Sequence, residues 1–182
     1  MSLNDASAAA VKKKVALLDE SFGRFAVRST LAGAYLAIGT AFAGVMGMGV
    51  EKHVEGLGSL VFACLFGLGL FAIVLLGAEL ATGNMMYMVY GAVTKQVGWG
   101  KGLWLLVVTT LFNLVGAALF AAAMGMSAKL GGIDPNHLIA NLAMGKLIKG
   151  PGGLLVEAVL ANFVVNMAIV GAVFAKDVVS KF

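Results

Sequence analysis

Charged residues are so sparse in this chain that the distances between them outline its elements. Stretches free of Asp, Glu, Lys and Arg run from Ser29 to Val50, from Gly102 to Ala128, and from Gly56 to Thr94 with Glu79 as the one interruption. A fourth begins near Leu154 and ends at Ala175, with Glu157 in its first turn. A helix needs about 20 apolar residues to cross a hydrocarbon core of about 30 Å, so each stretch qualifies as a membrane span. The second, at 39 residues, is too long for one crossing and barely enough for two with a turn between, so it reads as one span broken in its middle. Ahead of the first span, Val11, Val15, Leu18 and Phe22 recur at helical spacing. They predict an amphipathic helix in residues 1–25, either lying along the membrane surface or standing as a solvated helix before the first span. Residues 26–182 then form the transmembrane domain, with spans at about 29–50, 56–94 (broken near 79–84), 102–128 and 154–175.

Composition removes the alternatives. Hydrophobic residues make up 60% of the chain and charged residues 12%, where a soluble domain has about 45–50% and about 25%. Disorder needs the opposite balance. Cys64, the one cysteine, permits no intrachain disulfide or cysteine metal cluster. The net charge of +4 is spread between apolar runs instead of gathered on one solvated face, so no nucleic-acid partner is expected. The first 28 residues carry Lys12, Lys13, Lys14, Arg24 and Arg28 without a short apolar core, unlike a cleavable signal peptide. With the N-terminus inside and one crossing per region, the inner segments hold nine cations (those five with Lys95, Lys101, Lys176 and Lys181). The outer segments hold four (Lys52, Lys129, Lys146 and Lys149). The excess places the N-terminus in the cytoplasm. His53 and His137 lie in outer segments near Glu51, Glu55 and Asp134 but lack a second ligand at metal spacing, and no nucleophile, metalloprotease or Walker motif is present. We therefore expect no metal, no cofactor and no enzymatic activity.

The segment Gly77-Ala78-Glu79-Leu80-Ala81-Thr82-Gly83-Asn84 carries the most information. A carboxylate deep in a membrane costs about 2.5–3.5 kcal/mol on insertion scales and needs a partner or water. Flanking glycines allow non-helical backbone, tolerated at that depth only against protein or a wet cavity. A helix that stops, loops and restarts would present a free N-terminus, which attracts anions, with the Thr82 hydroxyl beside it. A kinked helix with Glu79 paired to a backbone amide or another helix is the other reading.

That segment resembles the signature of the formate/nitrite transporter family. Asn113-Leu114-Val115-Gly116-Ala117 and Leu160-Ala161-Asn162-Phe163 resemble its third-span and fourth-span patterns. The resemblance implies an all-α polytopic membrane protein, an aquaporin-like bundle of two inverted repeats with spans two and five broken. It also implies assembly as a homopentamer in the plasma (inner) membrane of a prokaryote, surrounded by lipid, with one pore per subunit. The permeants would be small monovalent anions such as formate, nitrite, lactate or hydrosulfide, moving with protons. This chain shows spans one to four of an expected six. The family's second broken span carries a Glu-His-x-x-x-Asn pattern, for which Asn136-His137 with Asn141 is no substitute: the Glu is missing and the position precedes the fourth span. The chain is therefore expected to be a fragment of a longer protein, the alternative being a truncated, non-conducting membrane subunit or assembly module.

Carried over residue by residue, the resemblance makes Leu70, twelve residues before Thr82, an outer apolar constriction; packing against lipid or another helix is the plain reading of any such leucine. It sets Leu80 and Thr82 along the central loop, with Glu79, Gly83 and Asn84 shaping that loop. Ala81 departs from the family, most members having Phe there, so the inner gate should be wider and admit a larger monocarboxylate. Lys146 would draw anions into an outer vestibule, with Lys149 as a rival and snorkelling at the membrane edge as the plain reading. Asn162 would line the pore wall, with Asn166 four residues on along the same face and either able to join helices. Asn113 is expected to serve packing, and Gly33, Ala37 and Ala41 form a small-residue stripe for close helix or subunit contact.

Overall fold

A computed structural model of the chain describes residues 2–175 and 177–181. Lys176, counted above among the inner cations, and the chain end at Phe182 lie outside them. The described residues form seven α-helices and a terminal 3-10 turn, Val179–Lys181: α1 (Leu3–Glu20), α2 (Phe22–Glu51), α3 (Leu57–Leu76), α4 (Ala81–Val93), α5 (Trp99–Gly125), α6 (Leu138–Leu147) and α7 (Pro151–Phe174). Four of them, α2, α3, α5 and α7, are long and apolar enough to cross a membrane. The protein is an all-helical, multi-pass membrane protein.

The amphipathic helix is present, but its bounds shift. Ser2 opens α1 with a reciprocal capping box: its hydroxyl accepts from the Asp5 amide while the Asp5 carboxylate accepts from the Ser2 amide. The Ser2 hydroxyl also donates to that carboxylate and, with the amide bond, holds the Asp5 carboxyl below its usual range. Ser21, with a non-helical backbone and a hydroxyl that accepts from the Arg24 amide, separates α1 from α2. The first span thus starts at Phe22, seven residues before the charge-free stretch, and Phe22 belongs to it instead of to the amphipathic stripe. Val11 and Leu18 on α1 are buried with Phe25, Tyr87, Met88, Leu105 and Val108. The helix therefore packs on the ends of α2, α4 and α5 and is no detached surface segment. Lys101 on α5 pairs with Asp19 there.

The bundle is built around α2, which packs between α3 and α5. In lipid, helices gain little from burying leucine and associate instead where small residues let backbones meet. A Cβ at Gly33 would overlap the Asn113 carbonyl, and one at Gly116 would overlap the Thr30 carbonyl. On the other face of α2, a Cβ at Gly39 would sit 2.8 Å from the Gly69 Cα. Gly33 thus makes the close approach expected of the small-residue stripe, whereas Ala37 and Ala41 border an apolar cavity of about 300 Å³ with Ala117, Ala121 and Ile139. Because backbone atoms cannot yield as a side-chain tip does, Gly116→Ala is expected to cost about 1–3 kcal/mol. Thermal unfolding of the detergent-solubilised protein checks this, with Gly125→Ala, where a Cβ meets nothing within 4 Å, left near wild type.

Two elements depart from the hydrophobic pattern. α6 arises in the second outer segment, just after the turn-forming run Asp134-Pro135-Asn136. Asp134 does form that turn, its carboxylate accepting from the Asn136 amide, and His137 then caps the helix by accepting the Ile139 amide on Nδ1. The other is the break itself, which lies at 77–80 instead of 79–84.

Candidate functional site

Gly77 ends α3 by adopting a left-handed conformation, φ 67°, after which the Ala78 amide reaches back to the Ile73 carbonyl at 3.0 Å. Residues 78–80 leave the helix, and Leu80, in extended conformation, precedes the restart at Ala81. Thr82, Gly83 and Asn84 therefore belong to the first turn of α4 and not to the loop before it.

Asn113, at mid-length on α5, holds this short segment in place. Its Nδ2 donates to the carbonyls of Ser29 (2.7 Å) and Glu79 (2.9 Å), and its Oδ1 accepts from the Ala81 amide at 2.9 Å. The Glu79 amide donates to the Arg28 carbonyl at 3.2 Å. One side chain thus ties α2, the break and the start of α4 together. Among the free amides at the start of α4, Ala81 is occupied, which leaves those of Thr82 and Gly83 without an intrahelical acceptor.

The Glu79 carboxylate finds its partner outside the spans, in Lys14 of α1. Nζ and Oε2 lie 2.6 Å apart, with side chains 15% and 7% exposed. Lys14 Nζ also lies 5.4 Å from the centre of the Tyr87 ring, within cation–π range. The helix stops and restarts, as in the first sequence reading, while Glu79 pairs with another helix, as in the second. Its charge is thus balanced from within the protein. Around it, Lys13, Lys14, Arg28 and Lys181 line a cavity of about 340 Å³ that reaches Leu80 and Gly83.

Leu80 is buried with Ala32 and Ile73, and Leu70 packs on the same cluster together with Val165 of α7. Leu70, named for the apolar constriction, and Leu80, named for the central loop, thus share one apolar cluster. Ala81 is half-buried beside them. The Thr82 hydroxyl is buried with no hydrogen-bond partner. Gly83 serves a contact: a Cβ there would sit 2.9 Å from Ile169 Cδ1, so its absence lets α7 approach. Asn84, fully buried, donates from Nδ2 to Thr109 Oγ1 at 3.1 Å and joins α4 to α5. Asn162 donates from Nδ2 to the Ala158 carbonyl at 2.8 Å, while its Oδ1 is buried without a partner, as is that of Asn166.

Lys146 is not brought to this cluster. It is exposed on α6, which packs against the far end of α2 through Ile139 and Gly44, about 20 Å along α2 from Ser29. Its rival Lys149 is committed to Glu157, at 2.8 and 2.7 Å from the two carboxylate oxygens. Sequence reasoning placed Asn113 in packing and missed what it packs; a lone amide in the middle of an apolar helix was the available signal. For Lys14 the signal was a buried carboxylate in need of a cation.

The sequence profile of the formate/nitrite transporter family matches residues 2–182. Over 176 residues the chain is 32% identical to a probable formate transporter of Methanothermobacter thermautotrophicus, covering 87% of this chain and 64% of that protein. It is 28% identical to the nitrite transporter NirC of Escherichia coli (strain K12), covering 80% of this chain and 53% of NirC. To the formate channel BtFdhC of Bacillus thuringiensis it is 34% identical, covering 70% and 50%. The chain thus spans less than two thirds of the length of these curated relatives. Among solved structures, an FNT family ion channel superposes with a TM-score of 0.86 at 25% identity, covering 98% of this chain and 72% of that one.

Proposed function

Because the chain belongs to the formate/nitrite transporter family, we propose that it carries small monovalent anions across a prokaryotic plasma membrane, together with protons. The N-terminus would be cytoplasmic, and five copies would assemble with one path per subunit. The observation that supports this best is the break: the buried, unpartnered Thr82 hydroxyl and the open amides of α4 stand next to the Leu70–Leu80 cluster. Exposed Lys146 collects anions at one end of the bundle, and the cavity lined by Lys13, Arg28 and Lys181 collects them at the other. Between them an ion would meet the full desolvation penalty at the leucines. A neutral acid avoids most of it, so the species that crosses is the protonated one and net transport is electroneutral. Thr82 takes the permeant at the break, and Asn162 lines the wall opposite.

Radiolabelled formate, nitrite and lactate flux into proteoliposomes tests this reading. Uptake should rise as external pH falls and should not respond to membrane potential. Potential-driven uptake independent of pH would point to an anion channel, and absence of all three fluxes to a non-conducting membrane subunit. Ala81 sets the width of the passage in this proposal. Ala81→Phe is expected to lower lactate uptake about tenfold relative to formate, the scale on which a pocket discriminates by size. Equal effects on the two acids would remove Ala81 from the gate.

A further inference from the structure

Four buried oxygens near the break have no hydrogen-bond partner: Thr82 Oγ1 and the amide oxygens of Asn84, Asn162 and Asn166. Two of the amides cannot be turned over. Asn84 Nδ2 donates to Thr109 Oγ1, whose own proton is committed to the Leu105 carbonyl, and Asn162 Nδ2 donates to the Ala158 carbonyl. Reversing either would set acceptor against acceptor. Asn84 and Asn162 are therefore fixed as acceptors, Asn166 presents its Oδ1 beside them, and a buried acceptor stays costly until a donor reaches it.

Asn162 and Asn166 stand one helical turn apart on the face of α7 that carries Val165 and Ile169. Val165 packs on the Leu80 cluster, and Ile169 meets Gly83 and lines the cavity of about 340 Å³. Four residues at 1.5 Å rise set the two side chains about 6 Å apart along the axis. A hydroxyl donor lies about 2.7–2.8 Å from its acceptor, so a single O–H satisfies one of the two oxygens and leaves the other bare. An acid with hydroxyls on neighbouring carbons offers two donors at a separation that bridges both.

We propose that Asn166, paired with Asn162, forms a two-acceptor station that favours short 2-hydroxy monocarboxylic acids in their neutral form over acids without the hydroxyl. This rests on the transport function proposed above. Both carbonyls accept: the carboxylic O–H reaches one, and the 2-hydroxyl reaches the other. Asn166 is thus a specificity-determining residue, and the carboxylate form, which lacks the acid O–H, can satisfy at most one of the two carbonyls.

The test compares initial uptake of glycolate and acetate, which differ by that one hydroxyl, into proteoliposomes of the purified protein at equal concentrations of neutral acid, with formate as the reference. Wild type should favour glycolate by about tenfold, the worth of one good buried hydrogen bond. In Asn166→Val the ratio should fall towards one with acetate and formate uptake retained, and Asn166→Thr, which keeps an acceptor, should restore part of it. Acetate entering wild type as fast as glycolate overturns the proposal without any variant. An unchanged ratio in Asn166→Val does the same, as does an equal loss for all three acids. If wild type moves formate but shows no preference, this inference alone fails; if wild type moves none of the acids, the transport reading fails and takes the station with it.

Discussion

Replacing Lys14 with methionine is expected to cost about 3–5 kcal/mol, the usual penalty for stranding one member of a buried ion pair. The damage comes less from the lost attraction than from what remains: a Glu79 carboxylate 7% exposed, with its cation gone and the protein held around it. At about 2–4 °C per kcal/mol for a chain of this size, the melting temperature in detergent should fall by roughly 10 °C. The release of α1 should also expose it to limited proteolysis near Ser21. Lys14→Met combined with Glu79→Met should recover much of the loss, since an apolar pair of similar volume is often as stable as the ions it replaces. A single variant that melts with wild type would show that water already reaches the carboxylate.

Asn113→Leu should come close to this in effect. The substitution keeps the volume but leaves the Ser29 and Glu79 carbonyls and the Ala81 amide without their partner. Unmet buried groups cost about 1–3 kcal/mol each. Some relief from neighbouring water brings the expected total to about 3 kcal/mol or more. Asn113→Asp should not rescue it, because a carboxylate would face two carbonyls while still accepting from Ala81. Hydrogen exchange gives the local readout: in Asn113→Leu the Ala81 amide should lose protection while amides in the middle of α3 keep theirs. Uniform loss through the whole bundle would mean that Asn113 supports the fold generally and not the break in particular.

Much of the architecture is legible in run lengths alone. Bilayer thickness is an external ruler, and Ser29–Val50 or Gly102–Ala128 can be measured against it without knowing any contact. Glu79 was legible as a problem, since a carboxylate in an apolar run requires compensation, but its solution was not. Lys14 lies 65 residues away, and nothing local distinguishes it from Lys12 or Lys13; only the packing of Val11 and Leu18 turns it towards the break. The shift of the break to 77–80 has a similar cause. Glycines at 77 and 83 look alike in sequence, yet one adopts positive φ and the other makes room for Ile169. Asn84 reads as a loop residue beside glycine and becomes a helix-to-helix link once Thr109 stands opposite.

The stop at Gly77 also governs how the protein fits the thickness of its membrane. α3 has 20 residues and α4 has 13, about 30 Å and 20 Å of helix. Laid end to end they would reach about 50 Å, beyond the 40–45 Å of a bilayer with its headgroups. The two halves share one crossing, so the surplus must be taken up by tilt or by helix ends standing among the headgroups. One such end is that of α4, beside α1, where the Tyr90 hydroxyl already donates to the Asn4 carbonyl. A membrane a few Å thinner would therefore be met first at the α1–α4 contact.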